Sequence, residues 1–280
     1  MCSSDLKAFQ ALLDMNEPKK KFKIVTDTRA RVILPNTLTL VGVCIGLSSI
    51  NFALNQNYKL AIISILFAAI IDGLDGRIAR LIKGTSKVGK ELDSLTDIIS
   101  FGVAPAFIMY FWSLNSLGKI GWLLSLIYVV CVALRLARFN LNVGAESSWK
   151  DNFFEGVPSP AGGILVLTPL IYDVSGLALM NLNYKIIVPT IFIVVSILLI
   201  SKFPTYAFKK ISVKRSITVF LMFSIMLLFG LLLMFPFQTL VAGSIFYILS
   251  LPISYFHFLK LEKKNKSENL FDHEEPEDFL

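Results

Sequence analysis

The amino-acid sequence predicts an all-α protein, a polytopic membrane bundle of about eight transmembrane helices. Of the 280 residues, 55% are hydrophobic and 17% are charged, and the mean hydropathy of +0.67 is too high for an ordinary soluble domain. A segment that crosses lipid must satisfy its own backbone hydrogen bonds, so each crossing is expected to be a helix. The apolar stretches lie near residues 36–54, 59–79, 94–113, 119–138, 160–178, 186–201, 216–235 and 238–258.

This pattern divides the chain into four regions. Residues 1–32 are polar and are expected to lie in the cytosol, and residues 33–201 contain the first six spans. Residues 202–258 hold a cytosolic connection and two additional spans, and residues 259–280 are predicted to be a disordered cytosolic tail. In the first region, apolar residues at helical spacing leave open an interfacial amphipathic helix or an unstructured tail: Leu6, Phe9, Leu12 and Leu13.

Lysine and arginine residues are concentrated in alternate connections between the spans. The opposite connections carry only Lys59, Lys119 and Lys185. The positive-inside rule therefore places both termini and the basic connections in the cytoplasm. The connections after the second, fourth and sixth spans carry Arg77, Arg80, Lys83, Lys87, Lys90, Arg135, Arg138, Lys150, Lys202, Lys209, Lys210, Lys214 and Arg215.

Four aspartates lie in two neighbouring segments of this apolar chain. Asp72 and Asp75 are three residues apart and Asp93 and Asp97 are four apart, so each pair lies on one face of a helix. A carboxylate inside a membrane segment is unfavourable, which points to a function. Two such faces turned toward each other would gather four hard oxygen ligands of the kind that Mg²⁺ or Mn²⁺ prefers. The sequence therefore predicts a divalent-metal site.

Small residues accompany the first pair of acids. Gly76 and Ala79 lie on the same helical face as Asp72 and Asp75, and they would let a bulky ligand approach the helix backbone. The alternative is that the acids pair with neighbouring Lys and Arg residues at helix ends. That alternative accounts for one or two acids and less well for four on two matched faces.

The positive charge and the few cysteines and histidines exclude other classes of site. The net charge of +7 flanks the apolar spans, as for membrane orientation, so no nucleic acid partner is expected. Cys2, Cys44 and Cys131 are scattered and predict neither a disulfide framework nor a cysteine metal site. His257 and His273 lie far in sequence from the four acids and are not expected to be ligands.

Residues 72–97 read D-x-x-D-G-x-x-A-R-x8-G-x3-D-x3-D. This pattern resembles the signature of the CDP-alcohol phosphotransferase family at every fixed position. The resemblance implies that residues 33–201 form the family's catalytic core. It also implies that a CDP-linked lipid is the donor, that CMP is released, and that Mg²⁺ or Mn²⁺ is the cofactor.

Residue roles follow from the same resemblance. Asp72, Asp75, Asp93 and Asp97 would be metal ligands or lie beside the metal. Asp97 is the first candidate for the general base and Asp93 the second. The base should be the least coordinated carboxylate, and the sequence leaves open which one that is. The residues expected around the CDP group are Asn36, Thr39, Asp72, Gly73, Gly76, Ala79 and Arg80.

The segment Leu34-Pro35-Asn36-Thr37-Leu38-Thr39 can also be explained locally. Pro35 is expected to start the first helix, with Asn36 or Thr37 satisfying free N–H groups near its beginning. The family carries a similar P-N-x-L-T near its nucleotide pocket, which is why Asn36 and Thr39 are expected to contact the donor.

Two further segments bear on the acceptor. Arg135-Leu136-Ala137-Arg138-Phe139-Asn140 and Gly156-Val157-Pro158-Ser159-Pro160-Ala161-Gly162-Gly163 can be explained as a charged helix end and a proline-rich helix start. Together with Ser201-Lys202-Phe203-Pro204-Thr205 they resemble the phosphatidylserine synthase branch of the family. The resemblance implies CDP-diacylglycerol as donor and L-serine as acceptor. Acceptor or phosphate binding would then fall to Arg135, Arg138, Pro158 and Ser159.

The resemblance further implies a homodimer, and membrane lipid is an expected partner. The positive-inside rule places the acidic motif, and so the active site, on the cytoplasmic side of what is expected to be a bacterial cytoplasmic (inner) membrane. Glycerol 3-phosphate, inositol phosphate and choline remain alternative acceptors, because an arginine suits phosphate as well as carboxylate. From another class, the acids could line the cation pathway of an ion-coupled transporter.

Overall fold

The protein is almost entirely helical, as predicted. The computed structural model describes residues 28–82, 86–142, 153–177, 183–206 and 215–272. The interfacial helix considered for residues 6–13 lies outside these ranges, as do residues 273–280 of the predicted tail. Residues 259–272 of that tail are helical in the structure. The helices are α1 Thr28–Leu54, α2 Tyr58–Leu81, α3 Lys87–Asp97, α4 Ala104–Trp112, α5 Lys119–Asn142, α6 Ser159–Ser175, α7 Tyr184–Ile200, α8 Arg215–Met234 and α9 Pro236–Asp272.

The lengths and exposed faces of these helices fit an integral membrane protein. Segments long and apolar enough to cross a membrane are Ile33–Leu54, Val88–Trp112, Lys119–Leu141 and Pro236–Leu261, and Tyr184–Ile200 and Thr218–Met234 are shorter apolar helices. Every described side chain from Thr218 to Phe229 is exposed. Such a surface would be unfavourable in water and is that of a lipid-facing helix. The predicted all-α membrane bundle is thus confirmed.

A π-helix, Ile98–Val103, joins α3 to α4 directly after Asp97. Pro105 lacks the N–H that an α-helix would direct at the carbonyl of Phe101, so this carbonyl needs another donor. The hydroxyl of Tyr128 on α5 donates to it at 2.7 Å. Phe101 and Tyr128 are both fully buried, so this bond fixes the segment that follows Asp97 against the core.

A two-stranded antiparallel sheet links two connections that sequence reasoning treated as loops. Its strands are β1 Phe153–Glu155 and β2 Pro204–Tyr206. Gly156 has a φ of +77°, a conformation that favours glycine, and its N–H donates to the carbonyl of Phe203 at 2.8 Å. The Ser254 hydroxyl of α9 donates to the carbonyl of Pro204 at 2.8 Å. The sheet therefore joins the start of α6 to the end of α7, and α9 contacts the sheet through Ser254.

The expectation that Pro35 begins the first helix is wrong. Helix α1 begins at Thr28 and Pro35 lies inside it. Proline removes only the bond to the carbonyl of Arg31, and membrane helices tolerate such a loss. One turn later, the Thr39 hydroxyl lies 3.0 Å from the carbonyl oxygen of Pro35.

A substitution at Gly121 tests the packing of the turn between α4 and α5. A Cβ atom there would collide with the carbonyl oxygen of Leu114, whereas a Cβ at Gly243 on α9 would meet nothing within 4 Å. We expect Gly121→Ala to lower the free energy of unfolding by about 1–3 kcal/mol, because backbone must move. Gly243→Ala should be neutral or stabilising by up to about 1 kcal/mol. Thermal unfolding in detergent measures both, and equal stability of the two variants would contradict this packing.

Candidate metal and phosphate site

The acidic faces of α2 and α3 meet, as their spacing predicts. One carboxylate oxygen from each of Asp72, Asp75 and Asp93 lies within 4.8 Å of the other two. The two helices approach the same short connection from opposite directions. Asp75 and Asp93 are therefore nearer this connection, and Asp72 lies about 4.5 Å deeper along α2 than Asp75, at the rise of an α-helix.

Asp97, the fourth predicted acid, lies next to this triad on its deeper side. Its carboxyl group contacts that of Asp72 and interacts electrostatically with Asp93. The guanidinium of Arg135 on α5 is also close enough to interact with Asp97. Asp97 thus lies between the acidic triad and a basic group.

The chemistry of these oxygens fits a bound cation. The Thr39 hydroxyl lies 2.6 Å from Oδ2 of Asp75 and so orients that carboxylate, which is 3% exposed. Oδ1 of Asp75 and Oδ1 of Asp97 are buried and have no hydrogen-bond partner among the described residues. Buried anionic oxygens without a donor are strongly unfavourable unless a cation is present. Asp72, Asp75 and Asp93 can therefore hold a divalent metal ion.

A cavity of about 280 Å³ opens beside Asp75 and Asp93. Arg80 and Lys90 contribute positive charge to it, and Gly76 and Ala79 leave space along α2. The cavity therefore suits an elongated anionic group whose phosphates lie next to the acids. Its lining consists of Pro35, Asn36, Thr39, Asp75, Gly76, Ala79, Arg80, Ser86, Gly89, Lys90 and Asp93.

The structure brings most of the residues predicted around the donor to this cavity. Asn36, Thr39, Gly76, Ala79 and Arg80 all line it. Two others lie elsewhere. Asp72 is in the acidic triad, deeper along α2. Gly73 is exposed, has open space at its Cβ position and is not part of the lining.

Sequence reasoning missed Ser86 and Lys90 as cavity residues and did not explain Gly89. The Ser86 hydroxyl accepts a hydrogen bond from the backbone N–H of Gly89 at 2.9 Å, which is an N-cap at the start of α3. A Cβ atom on Gly89 would lie 2.9 Å from Oδ1 of Asn36. Glycine at this position therefore lets Asn36 approach α3. A serine three residues before a glycine was the available sign of this helix start.

The two arginines predicted for the acceptor have different partners. Arg135 donates through Nη1 to the Ser159 hydroxyl at 2.6 Å, and Ser159 is fully buried. Pro158, in an extended conformation, immediately precedes α6. Arg138 instead donates through Nη1 to the carbonyl of Ile200 at 2.6 Å, at the C-terminal end of α7. Arg135, Pro158 and Ser159 are thus together, while Arg138 has a partner that a helix terminus commonly needs.

Comparison with known proteins assigns the chain to a family. The model of the CDP-alcohol phosphatidyltransferase family matches residues 32–255. The chain belongs to this family. The match includes all four acids and extends beyond the six helices of the predicted core into α9.

Curated relatives carry one common name, CDP-diacylglycerol–serine O-phosphatidyltransferase. A protein of Mycobacterium leprae is 48% identical over 137 residues, which are 48% of this chain and 45% of the relative. A protein of Helicobacter pylori is 40% identical over 141 residues, 50% of this chain and 58% of the relative. A protein of Methanocaldococcus jannaschii is 36% identical over 140 residues, 50% of this chain and 61% of the relative. The chain spans about half the length of the curated relatives it matches.

The cation-binding role of the triad can be tested with Mn²⁺ as a paramagnetic probe. We expect Asp75→Asn to abolish Mn²⁺ binding, measured as loss of the free-ion electron paramagnetic resonance signal on adding protein. Thr39→Val should weaken binding roughly tenfold or more, as when a group that orients a metal ligand is lost. Asp173→Asn is the control, because Asp173 is an exposed acid that accepts a hydrogen bond from Tyr184 instead. Equal binding by the Asp75 and Asp173 variants would rule out the triad.

Proposed function

We propose that the chain transfers the phosphatidyl group of CDP-diacylglycerol to L-serine, giving phosphatidylserine and CMP. The acceptor hydroxyl oxygen attacks the phosphatidyl phosphorus, the pyrophosphate P–O bond breaks and CMP leaves with the bond electrons. The hydroxyl proton passes to a carboxylate. The observation that carries this proposal is the position of the acids, between the cavity that Arg80 and Lys90 line and the Arg135–Ser159 pair.

The donor's CDP group fits the cavity beside Asp75 and Asp93. Arg80 and Lys90 would neutralise phosphate charge, and Asn36 would offer its amide to the nucleotide. The backbone of Gly76 permits close approach because a side chain would occupy the cavity. Asp72, Asp75 and Asp93 would hold Mg²⁺ or Mn²⁺. When bound, the cation offsets the charge of the pyrophosphate and stabilises CMP as the leaving group.

Asp97 is the best placed carboxylate to accept the proton of the acceptor. It is not one of the three aspartates whose oxygens lie within 4.8 Å of one another, so a cation bound by those three would lower its basicity least. Its buried Oδ1 has no hydrogen-bond partner among the described residues. Asp93 is the second candidate, because it is exposed toward the cavity. A general base must lie within hydrogen-bond reach of the proton that it accepts.

The charge balance near Arg135 favours a zwitterionic acceptor. Arg135 and Asp97 offer one cation and one anion to the same region. Arg138 already uses Nη1 to donate to the carbonyl of Ile200. An arginine can bind phosphate as well as carboxylate, but the phosphate of glycerol 3-phosphate or inositol phosphate carries a charge of about −1.5 to −2 at pH 7, which one arginine would offset only in part. L-serine carries one carboxylate and one ammonium, which match this pair.

The basic residues beside two of the acids argue against a cation pathway. Asp75 lies six residues before the end of α2 and Asp93 six residues after the start of α3, about 9 Å along each helix. The sites of transporters lie near the bilayer midplane. Here Asp75 and Asp93 line a cavity that Arg80 and Lys90 also line, which suits phosphate better than a passing cation. We further propose that this end of the bundle faces the cytoplasm of a bacterial inner membrane, and that the protein is a homodimer.

The first experiment offers the purified protein CDP-diacylglycerol and Mn²⁺ or Mg²⁺ with one labelled acceptor at a time. The acceptors are L-serine, glycerol 3-phosphate, inositol phosphate and choline, and both CMP and lipid product are followed. We expect labelled lipid from L-serine alone, lost on adding EDTA. Product from another acceptor would retain the phosphatidyltransfer and refute serine. Absence of CMP with every acceptor, from folded protein, would refute the whole proposal.

Substitution of Asp97 separates chemistry from donor binding. We expect Asp97→Asn to lower kcat by at least about 10²–10⁴-fold, the contribution of a general base, with the Kd for CDP-diacylglycerol changed less than threefold. Asp75→Asn is the comparison and should weaken donor and metal binding as well. Turnover assays and equilibrium binding measure these quantities. Near-normal kcat in Asp97→Asn would make Asp93 the candidate base.

Two glycines of α2 form a matched pair for the donor site. A Cβ atom at Gly73 or Gly76 meets nothing within 4 Å, so a side chain at either position should leave folding intact, but only Gly76 lines the cavity. We expect Gly76→Leu to raise the KM for CDP-diacylglycerol tenfold or more by filling the cavity. A similar rise in Gly73→Leu would support the sequence prediction that Gly73 also contacts the donor. An unchanged KM in both variants would place the donor elsewhere.

A further inference from the structure

Tyr247 of α9 carries a buried hydroxyl that the fold does not use. Its hydroxyl oxygen is inaccessible to solvent and has no hydrogen-bond partner among the described residues. Nε of Arg135 is likewise buried and has no hydrogen-bond partner among the described residues. Leaving a buried donor unpaired costs about 1–3 kcal/mol, so such groups are rare in folded proteins and need an explanation.

These two unpaired groups belong to one polar region. The phenol of Tyr247 lies close enough to Arg135 for an electrostatic interaction and lies beside Thr205. The neighbouring hydroxyls already have partners. Ser159 accepts from Nη1 of Arg135, and Thr205 donates to the carbonyl of Gly156 at 2.8 Å. Each hydroxyl could still accept a further hydrogen bond, but neither Tyr247 O–H nor Arg135 Nε–H has a hydrogen-bond partner among the described residues. These two donors are therefore left for a ligand.

Contacts further along α9 fix the position of Tyr247. Seven residues later, the Ser254 hydroxyl donates to the carbonyl of Pro204 at 2.8 Å. The next residue, Tyr255, stacks on Phe203 with ring centroids 5.0 Å apart and planes 17° apart. Because both contacts are to the segment that follows α7, Tyr247 is held on the side of α9 that faces Thr205 and Arg135.

We propose that the hydroxyl of Tyr247 and Nε of Arg135 together bind the carboxylate of the amino-acid acceptor. This inference rests on the proposed function. A carboxylate can accept one hydrogen bond from each donor, and bonds to a charged group are the stronger kind. Asp97 interacts with the same guanidinium, so the acceptor's hydroxyl would extend toward the candidate base. Helix α9, which lies outside the predicted six-helix core, thereby supplies a residue that selects the acceptor.

The test compares Tyr247→Phe, which removes only the hydroxyl, with Tyr255→Phe on the same helix, which retains the ring that stacks on Phe203. We expect Tyr247→Phe to raise the KM for L-serine tenfold or more, in keeping with loss of a hydrogen bond to a charged group. The KM for CDP-diacylglycerol and the affinity for Mn²⁺ should stay within twofold. Tyr255→Phe should leave all three unchanged. An unchanged KM for L-serine in Tyr247→Phe would overturn the proposal, as would an equal rise in both variants.

A binding measurement keeps this test independent of serine turnover. The rise in Tm on adding L-serine is measured for the wild-type protein and the two variants. We expect a rise in the wild type and in Tyr255→Phe, and a much smaller one in Tyr247→Phe. If the wild type forms lipid from another acceptor and not from serine, the proposed function fails on its acceptor. Serine that stabilises all three proteins equally, or none of them, refutes the role of Tyr247.

Discussion

The need to hold several carboxylates together in a membrane protein governs the rest of this structure. Three aspartates with oxygens within 4.8 Å of one another repel strongly where the dielectric constant is low. The fold does not relieve that repulsion with arginine or lysine in direct contact, since no described basic residue forms an ion pair with Asp72, Asp75 or Asp93. Thr39 instead orients one carboxylate and leaves its other oxygen unpaired. The three carboxylates are therefore arranged to bind a cation that is not part of the protein chain.

The π-helix after Asp97 lies where the acidic region meets the apolar core. Residues 97 and 101 are four apart and would share a face of a regular α-helix. Here Asp97 belongs to the acidic region while Phe101 is fully buried in the apolar core. The π-helix Ile98–Val103 begins between them, with i→i+5 backbone hydrogen bonds in place of the α-helical pattern. Pro105 has no N–H to donate to the carbonyl of Phe101. The hydroxyl of Tyr128 donates to that carbonyl instead. Polar and apolar faces can thus follow each other within a few residues.

How far the sequence predicts this site depends on whether a contact is local. The spacing of Asp72, Asp75, Asp93 and Asp97 is a property of two neighbouring helices, so their meeting could be predicted. The pairing of β1 with β2 joins residues about 50 positions apart. Strands of three residues are too short to show an alternation of apolar and polar side chains from which the pairing could be predicted. Pro35 is a common helix start, and only the environment of a membrane helix lets it lie in the interior. Tyr247 was missed because nothing in the sequence of α9 distinguishes it from other aromatic residues facing lipid.

Different helices build the acidic site and the region around Arg135. The cavity and the acids come from α1, α2 and α3. The acidic motif at residues 72–97 lies on α2 and α3. The region around Arg135 is built from α5, the start of α6, the segment after α7 and, as proposed, α9. Asp97 is the contact between the two parts. Under the proposed function, changes in the second set would alter the acceptor without disturbing the four carboxylates. A helix outside the core is well suited to this role, because the acids do not depend on its packing.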